Sequence, residues 1–395
     1  MKYFFARQPV FDDALGVYAY EIVFRSGFEG ALPDAESISS SFLNLGLDTL
    51  AGDRKACVDF PTALILKEVP LLFPANRLVV GVPAGTDWSD ELETALSRLK
   101  SRGYSILFDD AVLDGPHDPR VVFADIVRID FAESTPAERS AWLRDKGEGT
   151  RLLARNVESM PIYREALELG FSLFQGFFFA MPEVVSGNDV PGFKVNYLRL
   201  MREAQSADFD LKKIAEIIKR DVSLSYRLMR FINSSAFGWA KRIESVHHAL
   251  VLLGQREFRR WLSLVSMGGM ITERPSEILV QSVIRARFCE LMAPKVGLTE
   301  RELDLYMLGM FSSLDAVLEQ EMDRVASEVG LVDDVRSALE GSPGVLRDLL
   351  DLVLAYERGE RSRLPGLANE LGVDENDLPE QYQDAIVWAS EAFFE

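Results

Sequence analysis

The sequence predicts an α/β domain joined to an all-α one: an abbreviated TIM-type (β/α) barrel, then a domain built only of helices. Three observations carry this. Short apolar runs alternate with helical patterns over the first half of the chain. A stretch rich in Pro, Gly, Ser and Asn, Met181 to Gly192, then interrupts it. Beyond that stretch the strand pattern stops, and apolar residues recur at helical spacing. The expected division is residues 1–182 for the barrel, 183–192 for a linker and 193–395 for the helical domain.

The first element is a pair of aromatic-rich runs between Phe4 and Arg25, parted by Asp12, Asp13 and Gly16. They read as two strands and a tight turn. Glu21 lies among apolar neighbours, where an ionised carboxylate is costly unless it is paired or metal-bound. Six further runs follow: Lys55–Phe60, Arg77–Pro83, Tyr104–Asp110, Ala124–Asp130, Arg151–Val157 and Phe171–Phe177. Most are too short for helices and rich in Val, Ile, Leu and Phe. Between them, Trp88–Gly103 carries Leu92, Ala95, Leu96 and Leu99 on one helical face and stops at a glycine. Thr135–Gly147 opens with a cap followed by proline, and Pro161–Gly170 again ends in glycine. Strand–helix alternation predicts a parallel sheet with helices outside it, and the count of runs matches a barrel. The segment is short for a full barrel, so some crossovers must be abbreviated.

At 395 residues the chain is long enough for two domains, and its 48% hydrophobic and 27% charged residues are those of an ordinary globular protein. A net charge of −19 argues against broad binding to nucleic-acid phosphates. Arg256, Arg259 and Arg260 form one local basic patch, read as a solvated helix face. No signal peptide and no membrane-spanning stretch is expected. Cys57 and Cys289 read as free thiols of a reducing cytoplasm.

In such a barrel, chemistry sits at the C-terminal strand ends. Those ends present Asp59, Asp109 with Asp110, Asp130 and Glu158. A carboxylate ring of this kind suits Mg²⁺ or Mn²⁺, whereas any one strand-end Asp also suits a helix cap or turn.

The N-terminal half resembles the EAL family of cyclic-di-GMP phosphodiesterases. Arg7-Gln8-Pro9-Val10 resembles its Gln-Pro-Ile segment, and Glu21-Ile22-Val23 with Arg25 its Glu-Ala-Leu-x-Arg signature. The wording is closest to the EAL–HDOD subgroup. The resemblance implies Glu21 as a metal ligand and Gln8, Arg25 and Gln175 as ligand contacts. It also shows departures. Asp59 stands for a metal-binding Asn, and Leu78–Pro83 lacks the expected metal-binding Glu. Arg128 stands for the Lys that helps position water, and Arg has a fixed charge and a larger planar fork. Asp109-Asp110 keeps the start of the Asp-Asp-Phe-Gly-Thr-Gly loop but not its remainder. Glu158 and Gln175-Gly176-Phe177 resemble the closing motifs.

In the second half, Ile217 to Gly254 resembles the HDOD core, a helical relative of metal phosphohydrolases without their metal-binding His and Asp. The segment Leu308–Asp315, where a His-Asp pair would be sought, has no His. The chain's three His, His117, His247 and His248, do not form a metal-ligand spacing. Asn233 reads as a helix terminator, and the recurrent Met residues as core filling.

The expectation is therefore a catalytically inactive signalling scaffold that binds protein partners, with Glu21, Asp59, Asp109, Asp110, Arg128 and Glu158 vestigial. No cofactor is expected, and Mg²⁺ or Mn²⁺ enters only if the barrel is active. The alternatives are a cyclic-di-GMP receptor and a phosphodiesterase with an altered metal site. An oligomer is compatible with all three.

Overall fold

The computed structural model describes the chain except residues 1–2, 27–45, 182–190, 207–208, 235–236, 238–241, 272–274, 361 and 395. Most of the expected linker therefore lies outside the described residues. Two compact units are present: residues 1–181 with 354–366 and 374–387, and residues 182–353 with 367–373 and 388–395.

Eight strands close the first unit into a barrel in sequence order. They are β1 (Tyr3–Asp12), β2 (Val17–Ser26), β3 (Lys55–Asp59), β4 (Leu78–Val82), β5 (Ser105–Asp109), β6 (Ile126–Asp130), β7 (Arg151–Arg155) and β8 (Leu173–Gln175). β1 runs antiparallel to both β2 and β8, and every other pair is parallel. The β1–β2 turn is tied by Asp12, whose carboxylate accepts from the Ala14 and Gly16 amides.

The crossovers are abbreviated as expected. α1 (Thr62–Leu66) is barely more than one turn, and 3₁₀ turns at Asp110–Val112 and Pro119–Phe123 stand between β5 and β6. The full helices are α2 (Asp90–Ser101), α3 (Pro136–Asp145) and α4 (Met160–Leu169). Ser89 caps α2, Thr135 and Glu138 form a capping box on α3, and Gly170 ends α4 in the left-handed conformation.

Inside the barrel, strand alternation builds layers. One buried apolar layer takes one residue from each strand: Val10, Ala19, Cys57, Val79, Leu107, Ile126, Leu153 and Leu173. Moving two residues toward the C-terminal ends of the parallel strands reaches Glu21, Asp59, Gly81, Asp109, Arg128, Arg155 and Gln175, with Gln8 on antiparallel β1. The polar site is thus the next layer above a dry floor. Both Cys57 and Cys289 are buried free thiols.

The second unit is helical. It comprises α5 (Gly192–Gln205), α6 (Leu211–Arg220), α7 (Val222–Ile232), α8 (Val246–Met270), α9 (Glu277–Met292), α10 (Glu302–Phe311), α11 (Leu314–Leu318), α12 (Met322–Val329), α13 (Asp333–Leu339) and the start of α14 (Val345–Arg358). Then come α15 (Leu364–Glu370) and α16 (Leu378–Phe394). Gly254 is non-helical at φ 69° and ψ 173°, so it ends the first helical segment of α8, and a second segment starts directly after it. Asn233 does terminate α7, donating to the Met229 and Ile243 carbonyls and accepting from the Ile243 amide. Met201, Met267, Met270, Met292, Met307 and Met310 are buried in the core.

The basic patch is corrected. Arg260 pairs with Glu257 and the buried Glu290, Arg256 with Glu290 and Glu302, and Arg259 donates to the Ala204 carbonyl. These cations are spent within the fold, because the helix packs against its neighbours on that side. Among the described residues, no helix is long and apolar enough to cross a membrane.

α9 and α10 meet backbone to backbone at Gly309, where a Cβ would fall 2.5 Å from the Arg285 carbonyl oxygen. Gly309→Leu is expected to destabilise the protein by about 1–3 kcal/mol or more, because overpacked backbone cannot yield easily. Equilibrium denaturation checks this; an unchanged midpoint would mean the two helices are not held at that separation.

Candidate functional site

The site is the polar layer at the barrel mouth, and its centre is a cation of the protein itself. Arg128 is 2% exposed and reaches three carboxylates from three other strands. Its Nη1 donates to Glu21 Oε1 at 2.5 Å, its Nη2 to Asp59 Oδ2 at 3.1 Å, and its Nε and Nη2 to Asp109 at 2.6 and 2.7 Å. The Asp109 pair is the bidentate fork that arginine makes and lysine cannot. Register explains the convergence: Asp109 lies opposite Arg128 across β5–β6, while Glu21 and Asp59 enter from β2 and β3.

The electrostatics follow from burial and this one cation. Burial opposes ionisation of Glu21, but Arg128, Arg155 and the Gln175 hydrogen bond outweigh it and hold the carboxyl below its ordinary range. Asp109 is likewise held low, with burial overcome by Arg128, Arg155 and the Ala84 amide. Asp59 goes the other way: burial, with Glu21 and Asp109 nearby, pushes it up despite Arg128. Its Oδ1 is buried without a hydrogen-bond partner. Burial lowers the Arg128 pKa, but its carboxylates more than reverse this and keep it charged. Burial beside Glu21 and Asp59 pushes the Cys57 thiol well up, so it stays protonated.

A second chain of hydrogen bonds runs outward. Gln175 donates to Glu21 Oε2 and, at 3.1 Å, to Gln8 Oε1, and Gln8 donates to the Arg358 carbonyl at 3.3 Å. Because both Gln175 partners are acceptors, its amide orientation is fixed and its Oε1 is left buried and unpartnered. A polar cavity of about 180 Å³ opens here, lined by Gln8, Asn156, Glu158 and Phe177 on the barrel side and by Arg358 and Glu360 opposite.

The other sequence-selected residues separate from the Arg128 cluster. Asp110 opens a 3₁₀ turn, and partial burial with Asp109 and Asp130 nearby raises its pKa. Asp130 accepts from Asn156 Nδ2 at 2.6 Å and from the Ala132 and Glu133 amides, so it holds loops together. Desolvation at the cavity, aided by Glu360 and opposed by Arg358, raises the Glu158 carboxyl. The Arg25 side chain lies outside the described residues, although its backbone pairs within β2. Arg155, Asn156, Arg358 and Glu360 were missed. Arg155 was findable as the end of a strand, and Asn156 adopts a left-handed φ of 59° after it. Arg358 and Glu360 carry no sequence signal that they join a site some 180 residues earlier in the chain.

A divalent cation does not fit this donor set. Arg128 already holds oxygens of all three carboxylates. Position 81, where the expected Glu would stand, is glycine, and a Cβ there would collide with Asp59 Oδ1. Among the described residues, no group of three or more His, Cys, Asp or Glu is placed to hold a metal. In the helical unit, Ser312 and Ser313 occupy the segment searched for a His-Asp pair, and both hydroxyls accept from the buried Arg285 at 2.7 and 2.9 Å.

The HDOD domain family matches residues 190–329. The chain is 32% identical to the uncharacterized protein YuxH of Bacillus subtilis, over 98% of each chain. It is 30% identical to the cyclic di-GMP phosphodiesterase CdgJ of Vibrio cholerae, over 98% of this chain and 92% of that one. Among solved structures, the Klebsiella pneumoniae BlrP1 manganese/cyclic-di-GMP complex matches with a TM-score of 0.38 and 19% identity, over 45% of this chain and 55% of that one.

Arg128→Met removes the cation and leaves three carboxylates facing one another. It is expected to cost about 3–5 kcal/mol near neutral pH, the range for breaking a buried ion pair. In the parent chain, Glu21 and Asp109, held low, stabilise above the ordinary carboxylate range, and this is lost as pH falls through their folded values. Asp59, held high, has the opposite sign. Without Arg128 the carboxylates protonate more readily, so the penalty should shrink between about pH 8 and about pH 5. Denaturation at both pH values checks this; a pH-independent penalty would mean the carboxylates are not the source.

Proposed function

The chain belongs to the EAL–HDOD family, and from that premise we propose that it is a non-catalytic member acting in cyclic-di-GMP signalling. The observation that carries the reading is Arg128 bonded at the centre of Glu21, Asp59 and Asp109. A fixed guanidinium there does electrostatically what a metal does for the carboxylates, but it has no open coordination position and cannot activate water. Losing parts that act as a unit is not made good by those that remain. The vestigial set on this reading is Glu21, Asp59, Asp109, Asp110, Arg128 and Glu158. The output is contact with protein partners of a regulatory circuit.

The barrel keeps parts suited to reading a nucleotide without turning it over. Gln8 and Gln175 line the cavity. Arg25 would join them by the family resemblance. A catalytic reading is favoured by the full-length likeness to CdgJ, named as a phosphodiesterase. The two readings separate on Arg128: the catalytic one requires it to leave the carboxylates.

Purified protein incubated with cyclic-di-GMP and Mg²⁺ or Mn²⁺ is expected to give no linear product. Turnover abolished by Glu21→Ala would overturn the non-catalytic reading. Calorimetric titration of cyclic-di-GMP with Ca²⁺ present tests binding; heat that is lost in Arg25→Ala supports a receptor role, and no heat removes it.

A further inference from the structure

We propose that residues 354–360 are a latch seated on the barrel mouth, and that the latch gates ligand access to the Gln8–Gln175 site. This deepens the nucleotide-binding reading above and adds a segment from the far end of the chain to that site. These residues belong to the same compact unit as the barrel. Helix α14 ends at Arg358 in a Schellman turn: Glu360 N donates to the Ala355 carbonyl at 2.9 Å and Gly359 N to the Tyr356 carbonyl at 3.0 Å. Gly359 makes this possible by adopting φ +70°.

The turn leaves the carbonyl of Arg358 without a partner inside its helix, and Gln8 supplies one. The side-chain amide assigned to ligand contact therefore also caps the helix that walls the cavity. Arg358 holds the other side, its guanidinium 5.5 Å from the centre of the Phe177 ring. With the segment seated the cavity is about 180 Å³, below the roughly 300–1,000 Å³ of pockets that enclose a drug-sized ligand. The segment's charges are paired: Glu360 lies beside Arg358 and pairs with Arg363, so the wall it adds carries no net attraction for an anion. Space makes seating of the segment and binding of a dinucleotide mutually exclusive.

Gly359 lines no part of the cavity, but a Cβ there falls 4.0 Å from Gln8 Nε2, so Gly359→Asn serves as the control that carries the same added contact. A β-branched residue is strained at its φ, whereas asparagine tolerates it. The full-length parent, Gly359→Val and Gly359→Asn are compared by hydrogen exchange over 354–360 and by calorimetric titration of cyclic-di-GMP with Ca²⁺. Expected are exchange roughly tenfold faster in Gly359→Val, parent-like exchange in Gly359→Asn, and affinity roughly tenfold tighter in Gly359→Val alone. Parent-like exchange in Gly359→Val overturns the latch. Equal affinity in all three chains overturns the gate while leaving nucleotide binding intact. Binding by none, with exchange moved as expected, overturns the nucleotide reading and supports the latch as a closure of the mouth.

Discussion

Three carboxylates are gathered within reach of one another in the interior of a barrel, and one arginine makes that arrangement tolerable. Each of Glu21, Asp59 and Asp109 would be costly to bury alone. Together they would repel, and Arg128 turns the repulsion into a bonded cluster. The cluster is not perfectly balanced: Asp59 keeps one oxygen without a partner, and its carboxyl is raised where the other two are lowered. Such a centre serves geometry more than net stability, since buried ion pairs seldom outperform well-packed apolar residues. It fixes the directions of strands β2, β3, β5 and β6 at the mouth and, through Glu21, the orientation of Gln175.

From there a single thread of hydrogen bonds leads outward. Glu21 accepts from Gln175, Gln175 donates to Gln8, and Gln8 donates to the carbonyl that ends α14. Each link fixes the rotamer of the next, so the buried cluster and the surface segment share one polar network. The absent side chain at position 81 belongs to the same arrangement. Asp59 stands where a Cβ at Gly81 would be, so Gly81 and the Asp59 rotamer require each other. A barrel reverting toward a metal site would need both positions to change, along with Arg128.

The helical unit repeats the theme in miniature. Arg285 is buried and donates to Ser312 and Ser313 at the end of α10, in the segment searched for a His-Asp pair. In both units a guanidinium with serine or carboxylate partners occupies the place where a metal centre would be sought.

Strand count, barrel closure and the switch to helices were legible because period-two and 3.6-residue patterns are local properties of the chain. Asp59 and Asp109 were legible as strand ends and Glu21, Arg128 and Gln175 by family resemblance, while Asp110, Asp130 and Glu158, selected with them, lie apart from the cluster. The cluster's chemistry was not legible. Sequence weighed Arg128 as a lost lysine; that it bonds three carboxylates at once depends on strand register and barrel closure, which bring residues 107 positions apart into contact. The neutralised patch at Arg256–Arg260 was misread for the same reason, since neighbours in space decide whether a cation is free. Least legible of all were Arg358 and Glu360. Nothing in a local pattern joins them to Gln8, because the contact is a backbone carbonyl meeting a side chain across 350 residues, and only the folded chain brings the two together.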